Sequence, residues 1–367
     1  MSAVRRVVVD TDAGIDDALA LLYLAGHPRA EITAVTSVFG NCAEEDALRN
    51  AAYALRLAGV AVPMARGAAG PLAPTGPIGP RSHGRDGLGD RGHARPLPPV
   101  AGETAAALLV RLGAEHPGEL DLLTLGPLTN LALALRDDPL LLTRYRSVVL
   151  MAGSGPRPAP GATPLPRDTN VAGDPAAARE VLGAPGAPVW VGVHVTATAT
   201  LPESGLPALR GAGTPVARFA AELLESYQGS RGRGGRAALL HDPLAAGVLL
   251  DPSLVTAWAR GPVDVVGTGA SARAVLATAG EPAGTDPRGP AGAVDEPPDA
   301  GTRAPAGGRE MPAGTGGGQA GTGGEPAGAS GGPGGRGRGT AARGARVVAS
   351  VDVARFVTGF VAGLTGP

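Results

Sequence analysis

A strand pattern that runs directly into clustered acids is the strongest constraint on the fold: residues 7–25 read VVVDTDAGIDDALALLYLA. Residues 4–9, which end in three consecutive valines, have the length and β-branched character of a strand, and residues 16–25 have the apolar spacing of a helix. Neighbouring carboxylates repel one another, and a helix macrodipole offsets only about 0.3–1 kcal/mol of that repulsion. The stretch therefore predicts a strand, a loop and a helix around a bound cation. The carboxylates concerned are Asp10, Asp12, Asp16 and Asp17.

The kind of cation follows from the kind of ligand. Ligation by oxygen alone favours a hard ion such as Ca²⁺ or Mg²⁺ over zinc. The loop is a poor EF-hand, because Gly14 is the fifth residue from Asp10 rather than the sixth, and no glutamate is the twelfth. The alternative is a solvated, acid-rich helix start, and for Asp16 or Asp17 alone it is the better interpretation.

Strands and helices alternate along most of the chain. This alternation predicts an α/β fold with a single open, mostly parallel, Rossmann-like sheet flanked by helices. Ligands of such sheets bind at the carboxyl ends of the strands. We therefore expect residues 10–17, Gly40, Asn41 and Gly126, which follow predicted strands, to meet at one rim. The predicted strands are residues 4–9, 31–38, 120–125, 147–151 and 189–195; the predicted helices are residues 16–25, 44–58, 104–115, 128–135 and 175–182.

Three segments differ from this alternation. Residues 76–93 and 228–236 are rich in glycine and polar side chains, so we expect loops over the rim rather than core. Residues 282–345 have almost no large apolar side chains and cannot offset their ordering entropy by burial, which predicts a disordered insertion. Residues 1–281 then form an α/β domain, which residues 346–367 complete with a strand and a helix.

Composition argues against several classes of partner. A formal net charge of −1 over 367 residues gives no case for nucleic acid or a membrane surface. No apolar stretch approaches the roughly 20 residues that span a bilayer, and no apolar signal segment is seen at the N-terminus. The single cysteine, Cys42, cannot form an internal disulfide, which fits a reducing compartment. We expect a cytoplasmic protein.

An ordered set of segments resembles the inosine-uridine preferring nucleoside hydrolase family. The resemblance covers almost everything except the low-complexity insertion, and the ordered set is more specific than the acidic signature alone. It implies hydrolysis of the N-glycosidic bond of ribonucleosides to free base and ribose, in purine and pyrimidine salvage. The segments, in the family's order, are VVVDTDAGIDDALAL, SVFGN, VPMARGAAGPL, SHGRDGLGD, LLTLGPLTNLALAL, VVLMAGS, GATPLPRDTNVAGDPAAA, LLHDPLAAG and VDVARF.

The resemblance implies a single Ca²⁺ at the base of the pocket. The ribose diol and a water molecule complete the coordination of the ion. Asp12 is then also the general base that takes a proton from the water, and Asp10 orients the loop without binding the ion. The implied protein ligands are Asp12, Asp16, Asp17, the backbone carbonyl of Leu125 and Asp242.

The resemblance also implies the substrate contacts. His241 would protonate the departing base, and His83 would lie on the same side of the substrate. Taken alone, these histidines could be a hydrogen-bonded core residue and a surface-loop residue. Asn41 alone could belong to an ordinary Gly-Asn turn, and Asn170 alone could cap a helix. The residues implied to hold the 2′- and 3′-hydroxyls are Asp16, Asp17, Asn41, Asn170 and Asp242.

The chain departs from the family in the segment GATPLPRDTN. Ala162 replaces an asparagine, Asp168 replaces a glutamate that is one methylene longer, and Thr169 replaces an aromatic residue. The asparagine and glutamate of the family hold the 5′-hydroxyl, so Asp168 is the candidate for that contact here. Because an alanine side chain cannot hydrogen-bond, we expect altered substrate preference or weak activity on ordinary nucleosides.

Two rival functions are left open by the sequence. A strand that ends in D-x-D also suggests a haloacid-dehalogenase-type phosphatase with Mg²⁺ and a nucleophilic Asp10, but that class expects a later lysine and this chain has none. A non-catalytic ribose- or calcium-binding relative would agree with Ala162 and the insertion, whereas Asp12 and His241 argue against it. The family resemblance further implies a homodimer or homotetramer.

Overall fold

A largely parallel β-sheet organises the protein. The structure is a computed structural model that describes residues 3–74, 81–93, 95–156, 167–230, 237–261, 263–268, 271–276 and 345–366. The strands are β1 (Arg5–Thr11), β2 (Ala30–Ser37), β3 (Met64–Ala65), β4 (Leu120–Thr124), β5 (Ser147–Leu150), β6 (Gly155–Pro156), β7 (Val189–Trp190), β8 (Thr200–Pro202), β9 (Ala237–Leu239), β10 (Val255–Arg260), β11 (Val263–Val266), β12 (Arg273–Leu276) and β13 (Arg346–Val351).

In the described part of the chain the main sheet has eight strands, in the order β10-β13-β7-β5-β4-β1-β2-β3. Every neighbouring pair is parallel except β10 with β13. Two small sheets accompany it, one of β11, β12 and β6 and one of β8 and β9. The predicted α/β class with one mostly parallel sheet is confirmed.

Helices cover both faces of the main sheet. They are α1 (Ile15–Gly26), α2 (Glu44–Leu57), α3 (Ala105–Glu115), α4 (Thr129–Asp137), α5 (Leu141–Arg144), α6 (Thr169–Gly173), α7 (Pro175–Gly183), α8 (Val193–Thr196), α9 (Leu206–Gly211), α10 (Pro215–Ser230), α11 (His241–Leu250) and α12 (Val353–Thr365). Helices α1, α2, α10, α11 and α12 pack on one face, and α3, α4 and α7 pack on the other. None of the described helices has the length and apolarity that crossing a membrane requires.

The carboxyl ends of β1, β2 and β4 meet at one rim. Asp10 at the end of β1 lies opposite Thr36 of β2 in the parallel register. The loops that follow these strands pack closely, since a Cβ on Gly40 would lie 1.9 Å from Asp12 Oδ2 and one on Gly126 would lie 3.1 Å from Asp12 Cβ. The expectation that the three loops meet at one rim is confirmed.

One predicted strand is wrong in its extent. The strand expected over residues 189–195 ends at Trp190, and α8 begins at Val193. The Thr196 N–H bonds to the Gly192 carbonyl (3.0 Å) and closes a helical turn, although the β-branched residues there favour a strand. The other predicted elements agree with the structure to within two residues at each end.

Helix α10 has no counterpart among the predicted elements. The Thr214 hydroxyl accepts a hydrogen bond from the Ala217 N–H (3.1 Å), and Pro215 occupies the first helical position. Both features are sequence signals of a helix start. The sequence therefore contains the signal for this helix, and the prediction missed it. The large buried side chains of α10 are Phe219, Leu223, Leu224 and Tyr227.

The loop prediction for residues 76–93 is wrong in one respect. Within its described part, residues 81–93, Leu88 is 0% exposed and His83 is 3% exposed, so the segment contributes to the core. The predictions for Ala162 and for residues 76–80, 231–236 and 282–344 lie outside the described residues. Strand β13 lies between β7 and β10 and is followed by α12, as expected of the C-terminal segment.

Candidate active site

The turn between β1 and α1 is strained at Ala13, and the N–H and carbonyl of this residue are both hydrogen-bonded. Ala13 has a φ of 33°, a left-handed conformation that costs a residue with a side chain roughly 1–2 kcal/mol. Its N–H donates to Thr11 Oγ1 (3.0 Å), and its carbonyl accepts from Asn50 Nδ2 (2.9 Å). Strain of this kind persists where surrounding contacts hold it, and it is frequent at functional sites.

Asn41 joins two of the acids. Its Nδ2 donates to Asp12 Oδ1 and to Asp17 Oδ2, both at 3.1 Å, and its N–H donates to Asp12 Oδ2 (2.8 Å). Asp17 also accepts from Thr11 Oγ1 (2.6 Å) and from the Gly14 N–H (2.9 Å). Asn41 is therefore more than a turn residue, because it holds together two carboxylates that repel one another.

Three carboxylates converge on one point at the rim. One oxygen from each of Asp16, Asp17 and Asp242 lies within 4.8 Å of the other two. Asp16 Oδ1 is buried and has no hydrogen-bond partner in the described structure. Within the described ranges none of the three pairs with an arginine; the basic neighbour of Asp16 is His83, whose Nδ1 is 3.7 Å from Asp16 Oδ1. Buried, unpaired oxygens of this kind fit a hard cation.

Electrostatics support the same interpretation. Burial raises the pKa of Asp12, Asp16 and Asp242 well above the usual range, and the other acids of the cluster raise it further. Asp12 lies beside the three converging carboxylates and shares Asn41 with Asp17. A cation at this position would lower each of these pKa values, because an opposite charge favours the ionised form.

The Leu125 carbonyl lies beside Asn170. Asn170 Nδ2 donates to the carbonyls of Leu125 (2.6 Å) and Met151 (2.9 Å), which follow β4 and β5. The helix-capping alternative for Asn170 does not apply, because Asp168 caps α6 and Asp174 caps α7. Asn170 thus links the ends of two central strands at the rim.

The Asp168 carboxylate is bonded to backbone. Its Oδ2 accepts from the N–H of Gly153 (2.6 Å) and Val171 (3.3 Å), and its Oδ1 accepts from the Asn170 N–H (3.0 Å). Burial raises the pKa of Asp168, and these hydrogen bonds oppose that rise. Three backbone donors already use this carboxylate, so its capacity to accept from a sugar hydroxyl is reduced.

Asp10 lies beside the cluster in a supporting position. Its Oδ1 accepts from Thr36 Oγ1 (2.5 Å) and from Asn130 Nδ2 (2.7 Å), and Asn130 Nδ2 also donates to the Ser37 carbonyl (2.8 Å). Burial raises the pKa of Asp10 to about 6. These bonds tie β1 to β2 and α4. Sequence reasoning missed Asn130, although its position in LGPLTN at the end of a predicted strand was a signal.

His83 is a buried residue, so the surface-loop alternative is wrong. Its Nδ1 accepts from the Ile15 N–H (3.1 Å), which places the ring proton on Nε2. Burial lowers the pKa of His83 to about 4, and the ring is therefore neutral at pH 7. The ring packs against Tyr227, with centroids 5.2 Å apart.

His241 begins α11 and precedes Asp242. Its Nδ1 lies 2.7 Å from Oγ1 of the buried Thr196, at the end of α8. A hydrogen bond at one ring nitrogen sets the orientation of the imidazole. Sequence reasoning missed Thr196, because this residue lies 45 positions away from His241 and its segment reads as a strand.

Eight of the ten candidate site residues line one pocket of about 320 Å³, within the range of small-molecule sites. Asp12 and Asp17 are not part of its lining. Both accept a hydrogen bond from Asn41, and Asn41 does line the pocket. The pocket thus brings together acids, amides and two histidines that the sequence places in five separate segments. Its described lining includes Asp16, Asn41, His83, Leu125, Met151, Arg167, Asp168, Asn170, Tyr227, His241 and Asp242.

Solved structures share this fold. The purine-preferring ribonucleoside hydrolase from Gardnerella vaginalis superposes with a TM-score of 0.74 at 22% identity, over 99% of this chain and 98% of that chain. A plant nucleoside hydrolase superposes with a TM-score of 0.74 at 23% identity, over 99% of both chains. The protein therefore has the α/β fold of these enzymes.

Sequence comparison establishes the family. The family model described as inosine-uridine preferring nucleoside hydrolase matches residues 7–357. The probable uridine nucleosidase 1 of Oryza sativa subsp. japonica is 33% identical over 256 residues, 68% of this chain and 78% of that protein. The inosine-uridine preferring nucleoside hydrolase of Crithidia fasciculata is 32% identical over 270 residues, 72% of this chain and 84% of that protein.

The chain belongs to the inosine-uridine preferring nucleoside hydrolase family. It is a nucleoside hydrolase, an enzyme that acts on N-glycosyl compounds. This membership excludes the haloacid-dehalogenase-type phosphatase that the D-x-D pattern also suggested.

Proposed function

We propose that the protein is a Ca²⁺-dependent ribonucleoside hydrolase that releases a free base and ribose. The observation that carries the proposal is the convergence of Asp16, Asp17 and Asp242 beside a pocket, without an arginine partner in the described structure. Family membership supports the N-glycosidic bond as the bond that is cleaved. We assign roles in the reaction to residues of the shared family segments that line the pocket or belong to the carboxylate cluster.

The donor set fits a hard cation. When bound, Ca²⁺ would bind the 2′- and 3′-hydroxyls of the ribose and lower the pKa of a water molecule at C1′. Asp12 is oriented by two hydrogen bonds from Asn41 and takes the proton of that water as general base. The residues that would hold the ion are Asp12, Asp16, Asp17, Asp242 and, through its carbonyl, Leu125.

The sugar is held while its bond to the base breaks. The water oxygen bonds to C1′ as the C1′–N bond breaks, and the electron pair of that bond leaves with the base. The ribosyl group carries positive charge in the transition state, which the negative cluster stabilises. The residues that bind the ribose hydroxyls are Asp16, Asp17, Asn41, Asn170 and Asp242.

The two histidines act on the leaving base. His241, oriented by Thr196, donates the proton that neutralises the departing base. His83 is neutral with its proton on Nε2, so it offers a hydrogen bond to the base and no positive charge. Tyr227 packs on the His83 ring and completes this side of the pocket.

The test is release of base and reducing sugar from uridine, cytidine, inosine, adenosine and guanosine. We expect cleavage that a chelator abolishes and that Ca²⁺ restores better than Mg²⁺ does. Nucleoside binding without turnover would instead identify a non-catalytic relative. Turnover that persists after complete removal of divalent ions would contradict the role of the cluster.

The 5′ end of the sugar gives a second test. Because three backbone N–H groups occupy Asp168, we expect little selection for a 5′-hydroxyl. The value of kcat/KM for 5′-deoxyuridine should therefore lie close to that for uridine. A preference for uridine of about 10⁴-fold, typical of a site built around a hydroxyl, would contradict this expectation.

The cytoplasmic location and the homodimeric or homotetrameric assembly stay predictions. Light scattering on the purified protein measures the assembly, and cell fractionation measures the location.

A further inference from the structure

Asn50 is a polar residue on a buried helix face. It lies on α2 between the buried residues Ala47 and Ala54, and it is 0% exposed. Its Nδ2 donates to two backbone carbonyls, those of Ala13 (2.9 Å) and Asp86 (2.8 Å). A side-chain amide nitrogen carries two hydrogens, so these two bonds use its donor capacity completely.

The two carbonyls belong to two different loops of the pocket. We call residues 11–14 the acidic loop and residues 81–93 the histidine loop. In the acidic loop, Asn50 bonds to the strained residue Ala13, whose N–H is bonded to Thr11 Oγ1. The same Thr11 hydroxyl donates to Asp17 Oδ1 (2.6 Å), so the turn that Asn50 holds is bonded directly to the carboxylate cluster.

The histidine loop closely approaches Asn50. Gly87 has a φ of +82°, and a Cβ at this position would lie 2.8 Å from Asn50 Nδ2. The next residue, Leu88, is 0% exposed. Arg95 donates to Asn50 Oδ1 and, through Nη2, to Asp86 Oδ2 (2.7 Å). Asn50 is therefore bonded to the histidine loop directly through its amide nitrogen, and its amide oxygen is linked to the loop through Arg95.

The histidine loop also bonds to the residue that follows the acidic loop, because the Ile15 N–H donates to His83 Nδ1 (3.1 Å). We propose that Asn50 is a positioning residue that couples the acidic loop, and the cation it would hold, to the histidine loop that carries His83. Movement of the histidine loop would break the bond from the Asn50 amide to the Asp86 carbonyl, and a buried donor without a partner is unfavourable. The proposal rests on the proposed function, because it assumes a cation at the cluster.

Reciprocity between linked sites gives the prediction. If Asn50 couples the two loops, a cation bound beside the acidic loop should also stabilise the histidine loop. This effect is expected although residues 84–93 include none of the proposed ligands. Removal of Asn50 should then weaken cation binding and free the histidine loop at the same time. A residue that only contributes to stability would not link these two properties.

The experiment compares wild type with Asn50→Leu, which is close in size and has no donor. Calorimetric titration with Ca²⁺ gives the affinity, and hydrogen exchange followed by mass spectrometry gives the protection of residues 84–93 with and without Ca²⁺. In wild type we expect Ca²⁺ to slow exchange of this segment. In Asn50→Leu we expect Ca²⁺ affinity to fall by about tenfold and the segment to exchange fast regardless of Ca²⁺.

Two control variants separate coupling from general damage. Arg49→Ala removes a neighbour on α2 that donates to the Arg95 carbonyl (3.1 Å) and does not bond to Ala13 in the described structure, so Ca²⁺ affinity should not change. Leu108→Ala opens a cavity in the core on the other face of the sheet and should lower stability without changing either measurement.

The outcomes distinguish this inference from the proposed function. Asn50→Leu with wild-type Ca²⁺ affinity, or with exchange that Ca²⁺ still slows as in wild type, overturns the coupling alone. A wild-type protein that does not bind Ca²⁺ overturns the proposed function and the coupling together. If Asn50→Leu does not fold, Arg95→Met decides: we expect faster exchange with weaker Ca²⁺ binding, and faster exchange with unchanged Ca²⁺ affinity overturns the coupling.

Discussion

Buried carboxylates occur at both ends of the central strands, and they differ in their partners. Towards the amino end of the sheet, Asp121 of β4 is 0% exposed and pairs with Arg5 (Nη1, 3.0 Å) and with Arg146 (Nε, 3.0 Å), while Ser147 Oγ also donates to it (2.8 Å). At the carboxyl end, the acids that follow β1 have amide, hydroxyl and backbone donors, and no arginine in the described ranges.

The difference in partners distinguishes buried acids with a structural role from those that we propose to act in the reaction. A buried charge is unfavourable unless a partner compensates it. Where the chain provides the cation, as at Asp121, the pair contributes to stability only. Where the chain provides none, as at Asp16, the arrangement fits the external cation that we propose. The second case lies at the carboxyl ends of the strands, where open α/β sheets bind ligands.

The largest expected effect is that of Asp12→Asn at the carboxyl end. The amide is close in size to the carboxylate, but it cannot take a proton from water and its NH2 group faces a donor of Asn41, so kcat for nucleoside cleavage should fall by about 10³-fold. Base release measured by chromatography gives the value. The control is Asp251→Asn, which removes an acid that pairs with Arg355 outside the pocket and should leave kcat unchanged. An Asp12→Asn enzyme with near wild-type kcat would exclude Asp12 as the base.

Asp121→Asn at the amino end should have the opposite profile. It leaves two guanidinium groups without their carboxylate, and we expect the free energy of unfolding to fall by about 3 kcal/mol. Below the unfolding temperature kcat should equal that of wild type, because Asp121 is not in the pocket lining. Urea unfolding and the nucleoside assay measure the two quantities. A loss of kcat in fully folded protein would contradict a purely structural role.

Asp16→Asn is the matched change within the cluster. In metal-free protein it removes one charge from an unpaired group, and Asp16 Oδ1 has no hydrogen bond to lose. We therefore expect the free energy of unfolding to rise by about 1 kcal/mol, the reverse of the result at Asp121. The variant should also lose the stabilisation by Ca²⁺, which in wild type is about 2.7 kcal/mol at 100 times the Kd. Lower stability of the metal-free variant would argue against charge repulsion in the cluster.

The smallest effect is a change in the sign of the pH dependence. In metal-free protein the pKa of Asp10 is raised to about 6, and those of Asp12, Asp16 and Asp242 are raised well above the usual range. These acids bind more protons in the folded state than in the unfolded state, so their contribution to stability is present at low pH and is lost as pH rises through about 6. The histidines whose pKa burial lowers, His27, His83 and His194, contribute in the opposite sense and are fewer than the acids. One such proton gives a slope of about 1 kcal/mol per pH unit.

With saturating Ca²⁺ the ion competes with these protons, so we expect Tm to rise between pH 5 and pH 7 instead of falling. Thermal unfolding across that range, with chelator and with Ca²⁺, measures both slopes. The same slope in both conditions would show that the cluster does not bind the ion. Asp121→Asn is the control, and its two slopes should still differ in sign.

The parts of the site that could be predicted are local in sequence. Asp12, Asp16 and Asp17 lie within six positions, and an apolar strand followed by a helix places them at a sheet rim. Asn41 and Asp242 were found through their motifs. Asn50 was missed, although a polar residue on an apolar helix face is a signal, because such a residue is equally consistent with a solvated edge.

Thr196 and the hydrogen bonds of Asp168 show more clearly what the sequence cannot predict. Thr196 touches His241 only because α8 replaces the predicted end of a strand. Asp168 lines the pocket, but the sequence does not indicate that three backbone N–H groups bond to its carboxylate. Both depend on contacts between distant segments, and neither periodicity nor spacing contains that information.

The sequence by itself determined the α/β class, the order of most strands and helices, and the acidic cluster at the rim, because periodicity and local spacing act over a few residues. Only the tertiary structure decided which groups are desolvated and what bonds them. It buried His83 on the Ile15 N–H, which makes the ring neutral, and it placed Asn50 between two loops. Desolvation and hydrogen-bond geometry depend on neighbours that are distant in the chain, so they emerge only when the sheet and helices have assembled.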